Sequence, residues 1–192
     1  IKNNINLGLK SKEKLILQLI FSSFFIIFLF NNDLINNNFI LFNDYAINIK
    51  NFIIPISILS IIALSNSVNL TDGLDGLAAG CSSLVFCGLG SEILLSNDKN
   101  FLIFSLLSFC MSGLCLGFLK HNKYPAKIFM GDTGSLTIGA IIGIICVITN
   151  SFFTTFIISG IFVIEALSVI LQVSYFKITK QLFKKGKRLF LM

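Results

Sequence analysis

Charge is what this chain has least of. Only 12% of its 192 residues are Asp, Glu, Lys or Arg, about half the ~25% usual in a soluble domain. Histidine is nearly missing too: His121 is the single one, which excludes a histidine-based metal cage. Five cysteines are present, Cys81, Cys87, Cys110, Cys115 and Cys146, but none forms a CxxC pair. All fall in apolar stretches, so they read as small buried hydrophobes and not as a metal site.

The residues that are there are mostly apolar. Hydrophobic types make up 55% of the chain and the mean hydropathy is +0.87. The excess is gathered into long runs, about 15–30, 52–68, 76–96, 101–119, 134–150 and 152–176. A bilayer core of roughly 30 Å takes about 20 apolar residues as a helix, and a helix satisfies its own backbone hydrogen bonds where lipid cannot. The expected fold is therefore all-α, a polytopic transmembrane helical bundle of about six spans. It forms a single membrane-embedded domain over 1–192, with no room for a soluble one. No cleavage pattern follows the first run, so it reads as a span and not a signal peptide. The chain begins with Ile1 and ends at Met192 after the basic run Lys184, Lys185, Lys187 and Arg188, and the expectation is a piece incomplete at both ends. The abundant Asn, Ile, Phe and Lys read as the bias of an AT-rich genome.

Basic residues set the orientation. With six spans, all but two of them, Lys50 and Lys99, fall on the side that holds the amino terminus. That side is expected to be cytoplasmic. The net charge of +6 then reflects topology and anionic lipid, and no nucleic-acid partner is needed to explain it.

Two loops on that side carry chemistry. The first is Asn69-Leu70-Thr71-Asp72-Gly73-Leu74-Asp75-Gly76. Carboxylates at membrane depth are costly unless paired, hydrated or bound to a cation, and each is followed by a glycine that permits close backbone approach. A helix starting near Thr71 would set Asn69, Asp72 and Asp75 three residues apart on one region. A helix cap explains one Asp but not two Asp-Gly pairs. The second loop runs from His121 to Ser135 and holds Asp132 between Gly131 and Thr133-Gly134. Asp132 can cap the following helix. It can also join Asp72 and Asp75, since Mg2+ takes a few carboxylates plus phosphate oxygens and water. Phe129 and Tyr124 offer flat faces to a base or anchor the interface. Glu165 is the ionisable group expected in mid-span, either functional or hydrogen-bonded near Ser168 and Gln172. Asp33, Asp44, Glu92 and Asp98 are expected at the opposite side, out of reach.

"NLTDGLDGLAAG" and "FMGDTGSLTIGA" resemble the signature loops of the polyprenyl-phosphate N-acetylhexosamine-1-phosphate transferases. "IPISILSIIALSNSVNLTDGLDGLA", "IEALSVILQVSYFK" and the closing "GKRLFLM" resemble the phospho-N-acetylmuramoyl-pentapeptide transferase branch. The likeness runs over nearly the whole chain. It implies transfer of phospho-MurNAc-pentapeptide from UDP-MurNAc-pentapeptide to undecaprenyl phosphate, releasing UMP, with Mg2+ as cofactor, at the bacterial cytoplasmic (inner) membrane. It further implies that Asp132 is the catalytic, metal-binding residue. Asn69, Asp72, Asp75, Asn122 and Phe129 match positions lining the uridine nucleotide pocket, Phe129 near the uracil. The family also carries an adjacent Asp-Asp pair in an earlier loop and a histidine-rich loop after the "KR-F-M" segment. Neither is in this sequence, so the resemblance implies a piece inactive by itself. Direct attack by the lipid phosphate and an enzyme-bound intermediate both stay open, as does a homodimer. A sister transferase using UDP-N-acetylglucosamine is the nearest alternative. A transporter built around Glu165 is disfavoured because no internal repeat is found and the acidic residues cluster at one surface. A degenerate, non-catalytic subunit is the third reading.

Overall fold

The computed structural model describes residues 9–35, 38–40, 46–48, 52–96 and 98–183. Its elements in order are α1 (Ser11–Asn31), β1 (Asn38–Ile40), β2 (Ala46–Asn48), α2 (Ile53–Thr71), α3 (Leu77–Leu95), α4 (Leu102–Asn122), α5 (Gly131–Ile148), α6 (Phe152–Ile158) and α7 (Gly160–Phe183). A 3-10 turn, Lys99–Phe101, leads into α4. Among the described residues six helices are long and apolar enough to cross a membrane, as the sequence predicts. The all-α expectation needs one small addition. β1 and β2 pair antiparallel, Phe39 opposite Ile47, in the connection between the first two spans. Lys2, Asp44, Lys50, Lys184, Lys185, Lys187 and Arg188 lie outside the described residues.

The last predicted span, 152–176, is in fact two helices. α6 stops at Ile158 and α7 starts at Gly160. Ser159 Oγ donates to Thr155 O at 2.6 Å, the local competition with the backbone that makes Ser-Gly steps kink sites. The apolar run hides the break because hydropathy does not register a hydroxyl spent on its own helix.

Lipid tails are as apolar as Leu, so spans associate through close packing and interhelical hydrogen bonds. α3 is the centre, with 50% of its apolar window buried against 17% for α1 and 6% for α7. It is tied to α4 by Ser105 Oγ donating to Gly90 O at 2.7 Å and Ser112 Oγ donating to Ser83 O at 2.8 Å. Such bonds average about 0.6 kcal/mol each in a bilayer. α2 and α5 meet along Gly139 and Gly143. A Cβ on Gly139 would stand 2.4 Å from Leu64 O, and one on Gly143 would stand 2.7 Å from Ile61 Cα. Ser65 Oγ adds a bond to Leu136 O at 2.8 Å. α1 is clipped to α2 by Asn66 Nδ2 donating to Gln18 Oε1 at 2.9 Å. These contacts fix the start of α1, the end of α2 and the start of α5 at one end of the bundle.

The cysteines divide: Cys115 and Cys146 are buried, Cys81 is half-buried, and Cys87 and Cys110 are exposed. The last two depart from the buried expectation because their helices turn those positions toward the surface that lipid covers. Glu165 is half-buried on α7 and lies near Cys81 of α3. The expected hydrogen bonding of Glu165 to polar groups of neighbouring helices is not observed among the described residues.

Candidate functional site: a carboxylate cluster at one end of the bundle

The first acidic loop is not the start of a helix. α2 runs on through Thr71, whose hydroxyl donates back to Ser67 O at 3.0 Å. Asp72 follows as the C-cap, and α3 begins only after Gly76. Gly76 holds φ at +78°, and a Cβ there would press on Leu119 at 3.1 Å. Asn69, Asp72 and Asp75 therefore share no helix face. Asn69 and Asp72 lie on the last turn of α2 and its cap, facing the start of α5, whereas Asp75 is turned to Ala126 of the second loop.

Asp132 stands in the first turn of α5, and its carboxylate makes no cap for that helix. Asn69 Nδ2 donates to Asp132 Oδ1 at 2.8 Å and to Ser135 Oγ at 2.9 Å. Ser135 is buried and donates to Gly131 O at 2.9 Å. The other carboxylate oxygen, Oδ2, pairs with the Lys14 ammonium. Asp72 lies near the same place, where its carboxylate feels the backbone N–H of Gly131 and the charge of Asp132. That N–H is one of the donors a helix start leaves unused. Asp72, Asp132 and Lys14 thus form one cluster carrying two negative charges and one positive.

The second loop is held against the first by Asn122 and Asp75. Gly76 N donates to Asn122 Oδ1 at 3.1 Å and Asn122 Nδ2 donates to Ile128 O at 2.9 Å. Ala126 N donates to Asp75 Oδ2 at 3.0 Å. Asn122 is 3% exposed, so its amide positions both loops and faces inward. Phe129 is 76% exposed and Tyr124 84%, which leaves their rings free to stack on a ligand. Asp33 and Asp98 fall in the connections at the opposite end, where Asp98 Oδ1 accepts from Asn100 N.

Lys14 is the member of the cluster that no motif in the sequence marks. Its charge was used only for orientation. It lies 118 residues from Asp132, and no local pattern links the two. Topology was the available signal, because the positive-side assignment already placed Lys14 and Asp132 at the same end. Lys14 also stands at the mouth of an apolar groove of about 640 Å³ between α1, α2 and α5, with Phe21, Phe25 and Ile141 on its walls.

Burial pushes the Asp72 carboxyl above its ordinary value of 3.8. The charge of Asp132 adds to this, and the Gly131 N–H pulls the other way. The sign follows from linkage. A carboxyl that holds its proton more tightly in the folded state favours folding below the ordinary value. That benefit is lost as pH rises through the raised one. At neutral pH the ionised Asp72 weighs against the fold. Asp72→Asn is expected to melt at a higher temperature than the wild-type chain at pH 7, with the gap closing as the pH approaches 4. Thermal melts followed by circular dichroism across that range check it.

Among the described residues no group of three or more His, Cys, Asp or Glu encloses a metal. What Asp132 and Asp72 provide is a pair of hard oxygen donors in a half-open place. That suits Mg2+, which keeps waters and takes phosphate oxygens from its substrate. The donor set fits the ion provided a bound phosphate completes it.

The model of the family described as glycosyl transferase family 4 matches residues 6–150. A phospho-N-acetylmuramoyl-pentapeptide-transferase of Prochlorococcus marinus (strain MIT 9215) is 62% identical over all of this chain, which covers 54% of that protein. The one of Prochlorococcus marinus (strain NATL2A) is 48% identical, with 52% of its length covered. The one of Rippkaea orientalis (strain PCC 8801 / RF-1) is 44% identical, again with 52% covered. The chain spans about half the length of these curated relatives.

Proposed function

The chain belongs to glycosyl transferase family 4, and on that premise we propose that it carries the nucleotide-binding and metal-binding part of a phosphoglycosyl transferase. The reaction is transfer of phospho-MurNAc-pentapeptide from UDP-MurNAc-pentapeptide to undecaprenyl phosphate, giving the first lipid-linked peptidoglycan precursor and UMP. The relatives' shared name supports the substrate. The observation that carries the reading is the meeting of Asn69, Asp72 and Asp132 at one end of six spanning helices. The positive bias of that end, with Lys10, Lys12, Lys120, Lys123 and Lys127 around it, supports a cytoplasmic face and the inner membrane.

In this proposal Asp132 and Asp72 would hold Mg2+ together with the donor's phosphate. A cation held there would supply polarisation of the diphosphate and stabilisation of the departing UMP. The remaining work belongs to side chains. Asn69 orients Asp132 through the bond to Oδ1 and is itself fixed by Ser135. Asn122 and Asp75 keep the two loops at a constant separation. The exposed ring of Phe129 receives the uracil. Phosphoryl transfer asks for positioning and charge neutralisation more than for covalent chemistry, which is what such a cluster offers. The acceptor's phosphate arrives from the membrane beside Lys14, at the head of the apolar groove.

Equilibrium binding to the chain in nanodiscs tests this. UDP-MurNAc-pentapeptide is expected to bind in a Mg2+-dependent way, and more tightly than UDP-N-acetylglucosamine. Equal binding of both would favour the sister activity. Binding of neither, with the loops intact, would remove the nucleotide site.

A further inference from the structure

Both oxygens of Asp132 are engaged. The Asn69 bond to Oδ1 leaves room for a cation, since each carboxylate oxygen has a second lone pair. The Lys14 bond to Oδ2 does not, because an ammonium repels an incoming metal. The two partners also differ in freedom. Asn69 is braced by Ser135. Lys14 is a point charge on a flexible four-carbon stem and is about one-third exposed. The backbone beneath it is fixed one helical turn on, where Gln18 bonds Asn66 and Ser65. The ammonium is therefore free to swing while α1 stays in place. Charge decides the direction of the swing. Asp72, Asp132 and Lys14 sum to one negative charge. A divalent cation makes that one positive, which suits a nucleotide phosphate and leaves Lys14 a new anionic partner.

We propose that Lys14 is an exchangeable counter-ion. It occupies Asp132 in the empty chain and moves to the nucleotide phosphate as the cation takes the carboxylate, so that cation and nucleotide bind together and poorly apart. This rests on the reading of Asp132 as the metal-binding residue. Linkage makes the effect reciprocal, each ligand tightening the other by the same factor, about five-fold or more. Lys14 is a positioning residue here, and cation affinity in the absence of any reaction is its readout.

The test is a Mn2+ titration by electron paramagnetic resonance on the chain in phosphatidylcholine nanodiscs, with and without UMP. UMP is expected to tighten Mn2+ binding to the wild-type chain. Lys14→Met is expected to bind Mn2+ alone about five-fold or more tightly than wild type, with UMP tightening it further by clearly less than it does in wild type. Lys14→Arg keeps the charge but grips a carboxylate through a two-pronged fork, so Mn2+ alone is expected to bind more weakly than to wild type. Lys12→Met, which removes the same charge two residues away, is expected to match wild type. An unchanged UMP effect in Lys14→Met overturns the proposal, as does a Lys12→Met effect of equal size, or Lys14→Arg binding as tightly as wild type. If Asp132→Asn retains full Mn2+ binding, the reading of Asp132 itself fails. If Asp132→Asn loses it while the Lys14 variants behave as wild type, only the counter-ion proposal fails.

Discussion

Asp132→Asn is expected to lose nucleotide-dependent Mn2+ binding by about 100-fold or more, since even residues that only orient a metal ligand cost 10–100-fold when changed. The replacement is nearly isosteric. Its side-chain oxygen still accepts from Asn69 Nδ2, so the 2.8 Å contact that links α2 to α5 has a substitute, and helicity and melting temperature stay close to wild type. What disappears is the negative charge that offsets Lys14 and would hold a cation. Loss of binding with an intact fold separates a chemical role for Asp132 from a structural one. Retained binding would leave Asp72 as the only described carboxylate in the cluster able to explain it.

The second large effect is expected far from any charge. Gly139→Leu puts a side chain where a Cβ alone would lie 2.4 Å from Leu64 O and 2.6 Å from Ser65 Cα. Backbone, unlike a flexible side chain, has no rotamer to retreat into, so α2 and α5 must separate. Overpacking costs typically 1–3 kcal/mol, and a backbone clash puts this variant at or above about 3 kcal/mol. Separation also breaks the Ser65–Leu136 bond and draws Asn69 away from Asp132. Gly139→Leu should thus lose both melting temperature and UMP-dependent Mn2+ binding. Gly117→Leu is the control: nothing lies within 4 Å of its Cβ position, and it is expected to be neutral on both counts. Detergent melts and the Mn2+ titration on the two variants check the pair. Equal losses at Gly117 and Gly139 would remove the seam from the account.

Much of this was legible in the sequence. Six apolar runs of span length gave the helices, and the lysine bias gave one end on which both acidic loops meet. Asp72 and Asp132 do meet there. The misreadings have physical causes. The two Asp-Gly steps look like a helix entry, yet Gly76 with positive φ delays α3 and keeps Asp72 and Asp75 in a turn. Phe152 to Phe176 reads as one span because hydropathy does not register a Ser-Gly step that bends a helix. The inward aim of Asn122 is a tertiary fact, set by a glycine 46 residues earlier. The Lys14–Asp132 pair is invisible for the same reason, as is the contact between Gly139 and α2 that makes the pair possible.

Asp72 and Asp132 are expected to present one place where a divalent cation and a nucleotide phosphate are neighbours. The most direct measurement is phosphorus electron–nuclear double resonance on Mn2+ bound to the chain with UMP. A resolved phosphorus coupling is expected in the wild-type chain and is expected to vanish in Asp132→Asn. Mn2+ bound with UMP present but with no phosphorus coupling would contradict that expectation.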